Sequence, residues 1–164
     1  HIDHRHAIDS LPMFADGAAG LIYCCHAFEY FDREAARAVL REWRRVLGTG
    51  GVLRLAVPDL DALIRVYEKY GELDRILGPL YGRMEVAGAD APCLIYHKTV
   101  YNFPSLQELL EGCGFTDVRR YDWRATEHRE HDDFSQAYVP HMDKENGILI
   151  SLNVEARKAC GGQA

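Results

Sequence analysis

His26 and Glu29 stand three residues apart, directly after the apolar run Leu21-Ile22-Tyr23-Cys24-Cys25, and this pair is the best placed in the sequence for chemistry. Histidine titrates near neutral pH, and a neighbouring carboxylate can orient its imidazole. His26 can therefore accept a proton with Glu29 as its partner. The same two side chains can instead tether the start of the element that follows, and the sequence leaves both readings open. Asp59, after Val57-Pro58, is ambiguous in the same way: a substrate-facing carboxylate or, the preferred reading, the N-cap of the next helix. His1-x-x-His4-x-His6 and His128-x-x-His131 have ligand-like spacings. Neither combines with cysteines into a zinc pattern, so no metal site is expected.

The elements that must position these residues follow from periodicity. The Leu21 run suits a strand buried on both faces. Asp32 is an N-cap candidate, and Ala36, Val39, Leu40, Trp43, Val46 and Leu47 then recur at helical spacing, with Gly48 placed for a left-handed cap. Gly50-Gly51 opens a second strand, Val52 to Val57, which Pro58 stops. Strand, helix and strand make a βαβ unit with parallel strands and a right-handed crossover. Leu60, Leu63, Ile64, Tyr67 and Tyr70 predict a helix ending near Gly71. Residues 72–99, rich in glycine and proline, read as an insertion of short helical turns and loop. Five of the chain's nine tyrosines fall between positions 67 and 101, and packing of this insertion is the preferred reading of them. Ser105 with Glu108 reads as a capping box opening a helix from Leu106 to Glu111. Phe115 to Tyr121 is a third strand and Ile148 to Ala156 a fourth, joined by the long polar stretch Asp122 to Asn146. Residues 157–164 are expected to fray.

Composition bounds the function. With 164 residues, 48% hydrophobic and 27% charged, the chain is expected to form one globular domain. A formal charge of −6 leaves no basic surplus for a nucleic-acid backbone. The five cysteines lack C-x-x-C spacing, which argues for a reducing cytoplasm over a disulfide framework. No apolar run approaches the roughly 18–20 residues that cross a bilayer, so no membrane partner is expected. The chain starts at His1, so residues upstream of it, absent or removed, are expected.

Several motifs in this order resemble class I S-adenosylmethionine-dependent methyltransferases of the type 11 kind. Leu11-Pro12 with Asp16 precedes the Leu21 strand, and His26-x-x-Glu29 follows it. Leu40-Arg41-Glu42-Trp43-Arg44-Arg45-Val46-Leu47 then leads to Gly50-Gly51, and Gly114-Phe115 opens the third strand. In that family a second histidine often follows the glutamate; here the position is Tyr30. The resemblance runs from about Ile8 to Lys158. It implies an α/β Rossmann-like, mostly parallel sheet whose last strand is antiparallel and lies beside the fifth. The four strands then correspond to the fourth to seventh of the family, with Ile2 to Ile8 a remnant of the third and the first strands missing. The glycine-rich turn that cradles the cofactor and the acidic end of the second strand have no counterpart. Gly48-x-Gly50-Gly51 closes a helix and opens a strand, the reverse of a cradling order.

The resemblance implies S-adenosylmethionine as cofactor, provided the missing strands exist in the parent chain, and a small-molecule methyl acceptor. It places Asp9, Ser10, Cys24, Cys25 and His26 at the cofactor, His26 and Glu29 at the reaction, and Asp59, His97 and Tyr101 towards the acceptor, with Lys98 beside His97. Asp9-Ser10 can equally form a turn, and Cys24 and Cys25 can be small buried hydrophobes. The competing expectation is an inactive methyltransferase-like module used in assembly or regulation. It would pair as a homodimer through the bare sheet edge of the Leu21 strand.

Overall fold

The computed structural model describes residues 4, 6–87 and 92–159. Its centre is a four-stranded sheet built from β1 (Ala19–Cys25), β2 (Leu47–Pro58), β5 (Phe115–Arg120) and β8 (Ser151–Lys158), in the order β1-β2-β8-β5. β1 pairs parallel with β2, whereas β8 runs antiparallel to both β2 and β5. Three strands therefore share one direction, and the last strand is inserted antiparallel beside the second, as expected.

The connection from β1 to β2 is helix α1 (Arg33–Val46), and it starts where the sequence places it. Asp32 accepts hydrogen bonds from the backbone N–H groups of Glu34 (3.0 Å) and Ala35 (2.8 Å), satisfying two donors that the first turn leaves free. Ala36, Val39, Leu40, Trp43 and Val46 form its buried stripe. The helix ends differently from the expectation. Leu47 is already extended, and Gly48 is not a left-handed cap but lies within β2. The left-handed glycine is Gly50 (φ 71°), at the bulge where the register between β1 and β2 shifts.

The expectation of a β1 buried on both faces is corrected. Ile22 and Cys24 join Leu53, Leu55, Val57, Leu152, Val154 and Ala156 in the apolar core, beneath α1 and α4 (Phe103–Gly112). The opposite face carries Tyr23, Arg54 and Glu155 in one row. There the Arg54 guanidinium lies 2.6 Å from Glu155 and 3.0 Å from Glu127, with its own side chain largely buried. Residues 122–136 cover this polar face through Asp133, His128 and Ser135, so the long polar stretch that connects the antiparallel neighbours β5 and β8 also lies over the sheet.

Helix α2 (Leu60–Tyr70) ends at left-handed Gly71 (φ 68°), as its pattern predicts. The insertion forms α3 (Asp74–Tyr81) and a hairpin of β3 (Met84–Val86) and β4 (Cys93–Ile95) that the composition does not announce. Helix α4 also starts earlier than expected. Its capping box joins Asn102 to Ser105, not Ser105 to Glu108, and Pro104 sits in the first turn, where a missing N–H costs nothing. The expected Ile148 strand is split. β7 (Ile148–Leu149) pairs with β6 (Tyr138–Val139), and Arg157 and Lys158 belong to β8 rather than to a frayed tail. Residues 6–18 form turns and irregular chain and His4 is in no strand, so the expected third-strand remnant at Ile2 to Ile8 is no strand at its described positions; residues 2, 3 and 5, like residues 160–164, are outside the described residues. No helix among the described residues is long and apolar enough to cross a membrane.

Candidate functional site

The carboxyl end of β1 opens onto a cleft of about 750 Å³, lined by His26, Tyr30 and His97 on one side, by Pro79, Gly82 and Met84 of the insertion, and by Phe134, Tyr138 and Ile150 opposite. His26 terminates β1 in a left-handed backbone conformation (φ 46°), and its N–H still donates to the Ala56 carbonyl of β2 (2.8 Å). A positive φ is uncommon for a residue with a Cβ, and such conformations concentrate at functional sites. The single 3₁₀ turn that follows, Phe28–Tyr30, is fixed by Phe28. That ring is wholly buried against Trp43 and Tyr101, with centroids 5.6 and 5.7 Å away. Anchoring Phe28 in the core drives the adjacent Glu29 out of solvent altogether.

Glu29 Oε1 lies 3.4 Å from His26 Nδ1 and 3.6 Å from His97 Nε2. Neither carboxylate oxygen accepts a hydrogen bond from any other group. Burial raises Glu29 to about 7. Burial, reinforced by the neighbouring His97, lowers His26 to about 4, against the opposing pull of Asp133. Burial also lowers His97. All three groups are thus pushed towards their neutral forms, and the contacts are not conventional salt bridges.

His97 is held from several sides. Its Nδ1 donates to the Pro79 carbonyl (2.9 Å), its backbone N–H donates to Tyr81, and the Tyr30 ring packs edge-on at 4.7 Å. Tyr30 also donates its hydroxyl hydrogen to the Gly82 carbonyl (2.8 Å). Gly82 is left-handed (φ 51°), and a Cβ there would overlap the His97 imidazole. On the other side, His26 Nε2 meets Ser151 Oγ (3.1 Å), and Ser151 donates to Asn153 (2.9 Å).

The structure thus brings His26, Glu29 and His97 together at the cleft, and none of the other sequence-predicted residues lines it. Tyr101 is fully buried, stacked on Phe28, and is a core residue rather than an acceptor contact. Asp59 is the N-cap of α2, accepting from Asp61 N–H (3.1 Å) and pairing with Arg120 (3.2 Å). Cys24 points into the apolar core, where burial pushes its thiol up to about 12. Cys25, on the Tyr23 side, has its thiol pushed up to about 12 as well and does not line the cleft. Asp9 and Ser10 lie on an exposed turn tied to the far part of α1, where Trp43 donates to Ile8 and Glu42 accepts from Leu11 N–H. Lys98 contributes a backbone hydrogen bond to Glu29. No cluster among the described residues could hold a metal ion; His128 stacks on Tyr23 (4.3 Å), while His1 is outside the described residues. Sequence reasoning missed Ser151, Asn153, Gly82 and Phe134. Only Ser151 and Asn153 left a signal, as polar residues alternating with the apolar Leu152 and Val154.

This strand order, with an antiparallel last strand beside the second and the candidate groups at the carboxyl end of β1, is the class I methyltransferase fold. A family model described as a methyltransferase domain matches residues 4–55. Solved structures agree in fold along nearly the whole chain. A SAM-dependent methyltransferase from Methanosarcina mazei is 16% identical with a TM-score of 0.54, covering 95% of this chain and 66% of its own. One from Thermotoga maritima is 14% identical with a TM-score of 0.55, covering 93% and 62%. Human N-acetylserotonin methyltransferase, solved in complex with SAM, is 14% identical with a TM-score of 0.55, covering 95% and 33%. The chain therefore carries the fold of class I S-adenosylmethionine-dependent methyltransferases, with a methyltransferase-domain match over its first third. It spans at most 66% of the length of these three structures. No curated protein matches the sequence significantly.

S-adenosylmethionine is the cofactor that this fold implies, and the described residues fit only the edge of its site. The end of β1 offers one wall. Gly51 offers no cradle: a Cβ there would meet the Gly48 carbonyl oxygen at 2.8 Å, so that space is filled by this chain's own backbone.

Proposed function

We propose that the protein transfers a methyl group from S-adenosylmethionine to a small-molecule acceptor bound in the cleft beside His26, with His26 and Glu29 receiving the proton that the acceptor loses. The buried His26–Glu29 contact, at the carboxyl end of β1 in a methyltransferase fold, carries this reading. S-adenosylmethionine, when bound, supplies an electrophilic methyl group on sulfur. The residues of this chain hold the acceptor between Phe134 and the insertion, exclude water with an apolar wall, and take the proton onto His26. An imidazolium formed there is stabilised by the negative charge of Asp133, which opposes the effect of burial on His26. The walls favour an acceptor with an apolar body and one ionisable hydroxyl or amine. The free cysteines at positions 24, 25, 93 and 113 suit a reducing compartment such as the cytoplasm.

Transfer of labelled methyl from S-adenosylmethionine by the whole protein to a panel of hydroxyl- and amine-bearing acceptors tests the reading. His26→Gln should lower turnover by about 10²–10⁴-fold with a smaller effect on binding. Unchanged turnover would remove His26 from the chemistry.

A second reading, an inactive module that pairs with a second copy, draws on one observation. The outer edge of β1 has no strand partner among the described residues, and Leu21 on it is 41% exposed. A concentration-dependent dimer that is abolished by Leu21→Lys would favour it.

A further inference from the structure

We propose that His97 completes the group: His26, Glu29 and His97 share one proton at Glu29 Oε1, which makes His97 a positioning residue that couples the insertion to the proton acceptor. The inference rests on the methyl-transfer reading only for its role, since the shared proton follows from hydrogen-bond directions alone.

Those directions are forced. His97 Nδ1 faces the Pro79 carbonyl, which can only accept, so the hydrogen of the neutral ring is on Nδ1 and Nε2 is bare. Asn153 must donate its amide to the Ser135 carbonyl, which leaves Asn153 Oδ1 to accept from the Ser151 hydroxyl. With that hydrogen committed, Ser151 Oγ accepts from His26 Nε2, and His26 Nδ1 is bare. Two nitrogen lone pairs then converge on one oxygen of a solvent-excluded carboxylate that accepts no hydrogen bond. An ionised Glu29 would be repelled by both lone pairs. One proton on Oε1 can be donated to either nitrogen and so relieves the repulsion at whichever contact it occupies, in line with the upward push that burial gives this carboxyl group.

The surrounding groups do not supply the missing charge. Cys24 from β1 and Tyr101 from the segment before α4 face Glu29, both pushed up to about 12 by burial, and Tyr30 in the same turn is raised as well. Asp133 faces His26 from the covering segment and stays ionised. Its negative charge favours a proton on His26. Because His97 is clamped by Pro79, Tyr30 and Gly82, displacement of the insertion would withdraw one of the two nitrogens and alter the affinity of the pair for a proton.

Nitrogen-resolved imidazole spectra of the whole protein across neutral pH test this. The expected result is an Nε2-protonated His26 and an Nδ1-protonated His97. Both should report one common inflection near neutrality, absent in Glu29→Gln and moved by more than about one pK unit in His97→Gln. A hydrogen on either nitrogen that faces Glu29, or an inflection in one ring that the other does not share, overturns the proposal. If Glu29→Gln does not fold, the wild-type tautomers and the His97→Gln inflection still decide. Failure here leaves methyl transfer intact. Conversely, an absence of methyl transfer with both tautomers as stated would leave the shared proton standing.

Discussion

His97 Nε2 lies 3.6 Å from Glu29 Oε1, although α1, β2, α2 and the whole insertion separate the two residues in sequence. The contact ties the irregular residues that follow β4 to the buried Glu29 carboxyl group. It also makes the ionisation of Glu29 a property of the tertiary structure.

Glu29 and His26 should give pH dependences of opposite sign. Glu29 is raised from 4.5 to about 7, so the folded state keeps a proton that the unfolded chain releases. Its contribution is present at low pH and is lost as pH rises through that window, by ~3 kcal/mol for a shift of this size. His26 is lowered from 6.5 to about 4, so its contribution is present above the upper value and is lost as pH falls. In wild type the two slopes offset each other between the unfolded values. Urea denaturation of Glu29→Gln should expose stability that rises with pH over this range, whereas His26→Gln should expose stability that falls. Parallel slopes in the two variants would contradict these shifts.

Gly82→Ala should disturb His97 while leaving His26 and Ser151 untouched. The added Cβ overlaps the imidazole, and the left-handed backbone is strained for alanine. The expected cost is about 1–3 kcal/mol, or a Tm lowered by several degrees in calorimetry, with the His97 resonances displaced.

Tyr101 separates a core role from an acceptor-binding role. Its hydroxyl is buried without a partner, so Tyr101→Phe should leave stability and turnover within about 1 kcal/mol of wild type. Tyr101→Ala should cost about 3–5 kcal/mol by opening a cavity beside Phe28. Loss of turnover in Tyr101→Phe with normal stability would restore Tyr101 to the site.

The polar face of the sheet offers a further test. Arg54→Met leaves the buried Glu155 with only the exposed Arg119 as partner, and should cost about 1–3 kcal/mol in chemical denaturation. The double variant with Glu155→Leu should recover most of that loss, because two apolar side chains can replace a buried pair.

What was legible in the sequence was local. His26 and Glu29 lie three residues apart beside a strand end, so spacing alone brings them together, and Asp32 and Gly71 announce helix ends through their own chemistry. His97 reaches Glu29 only because the insertion folds back, and no pattern records that. Tyr101 and Asp59 are amphipathic or polar residues whose side chains have a structural alternative, and packing against Phe28 and pairing with Arg120 decided them. The second face of the sheet was misread because Tyr23 and Cys25 look apolar beside Ile22 and Cys24. Their partners Asp133 and Ser135 come from a segment distant in sequence.

The central claim is that this fold serves S-adenosylmethionine chemistry with His26 at one wall of the site. Calorimetric titration of the whole protein with S-adenosylmethionine, in wild type and His26→Gln, tests it most directly. Saturable one-to-one binding by wild type, weakened in the variant, is the expected result. A folded whole protein that binds no S-adenosylmethionine would contradict it and favour the inactive module.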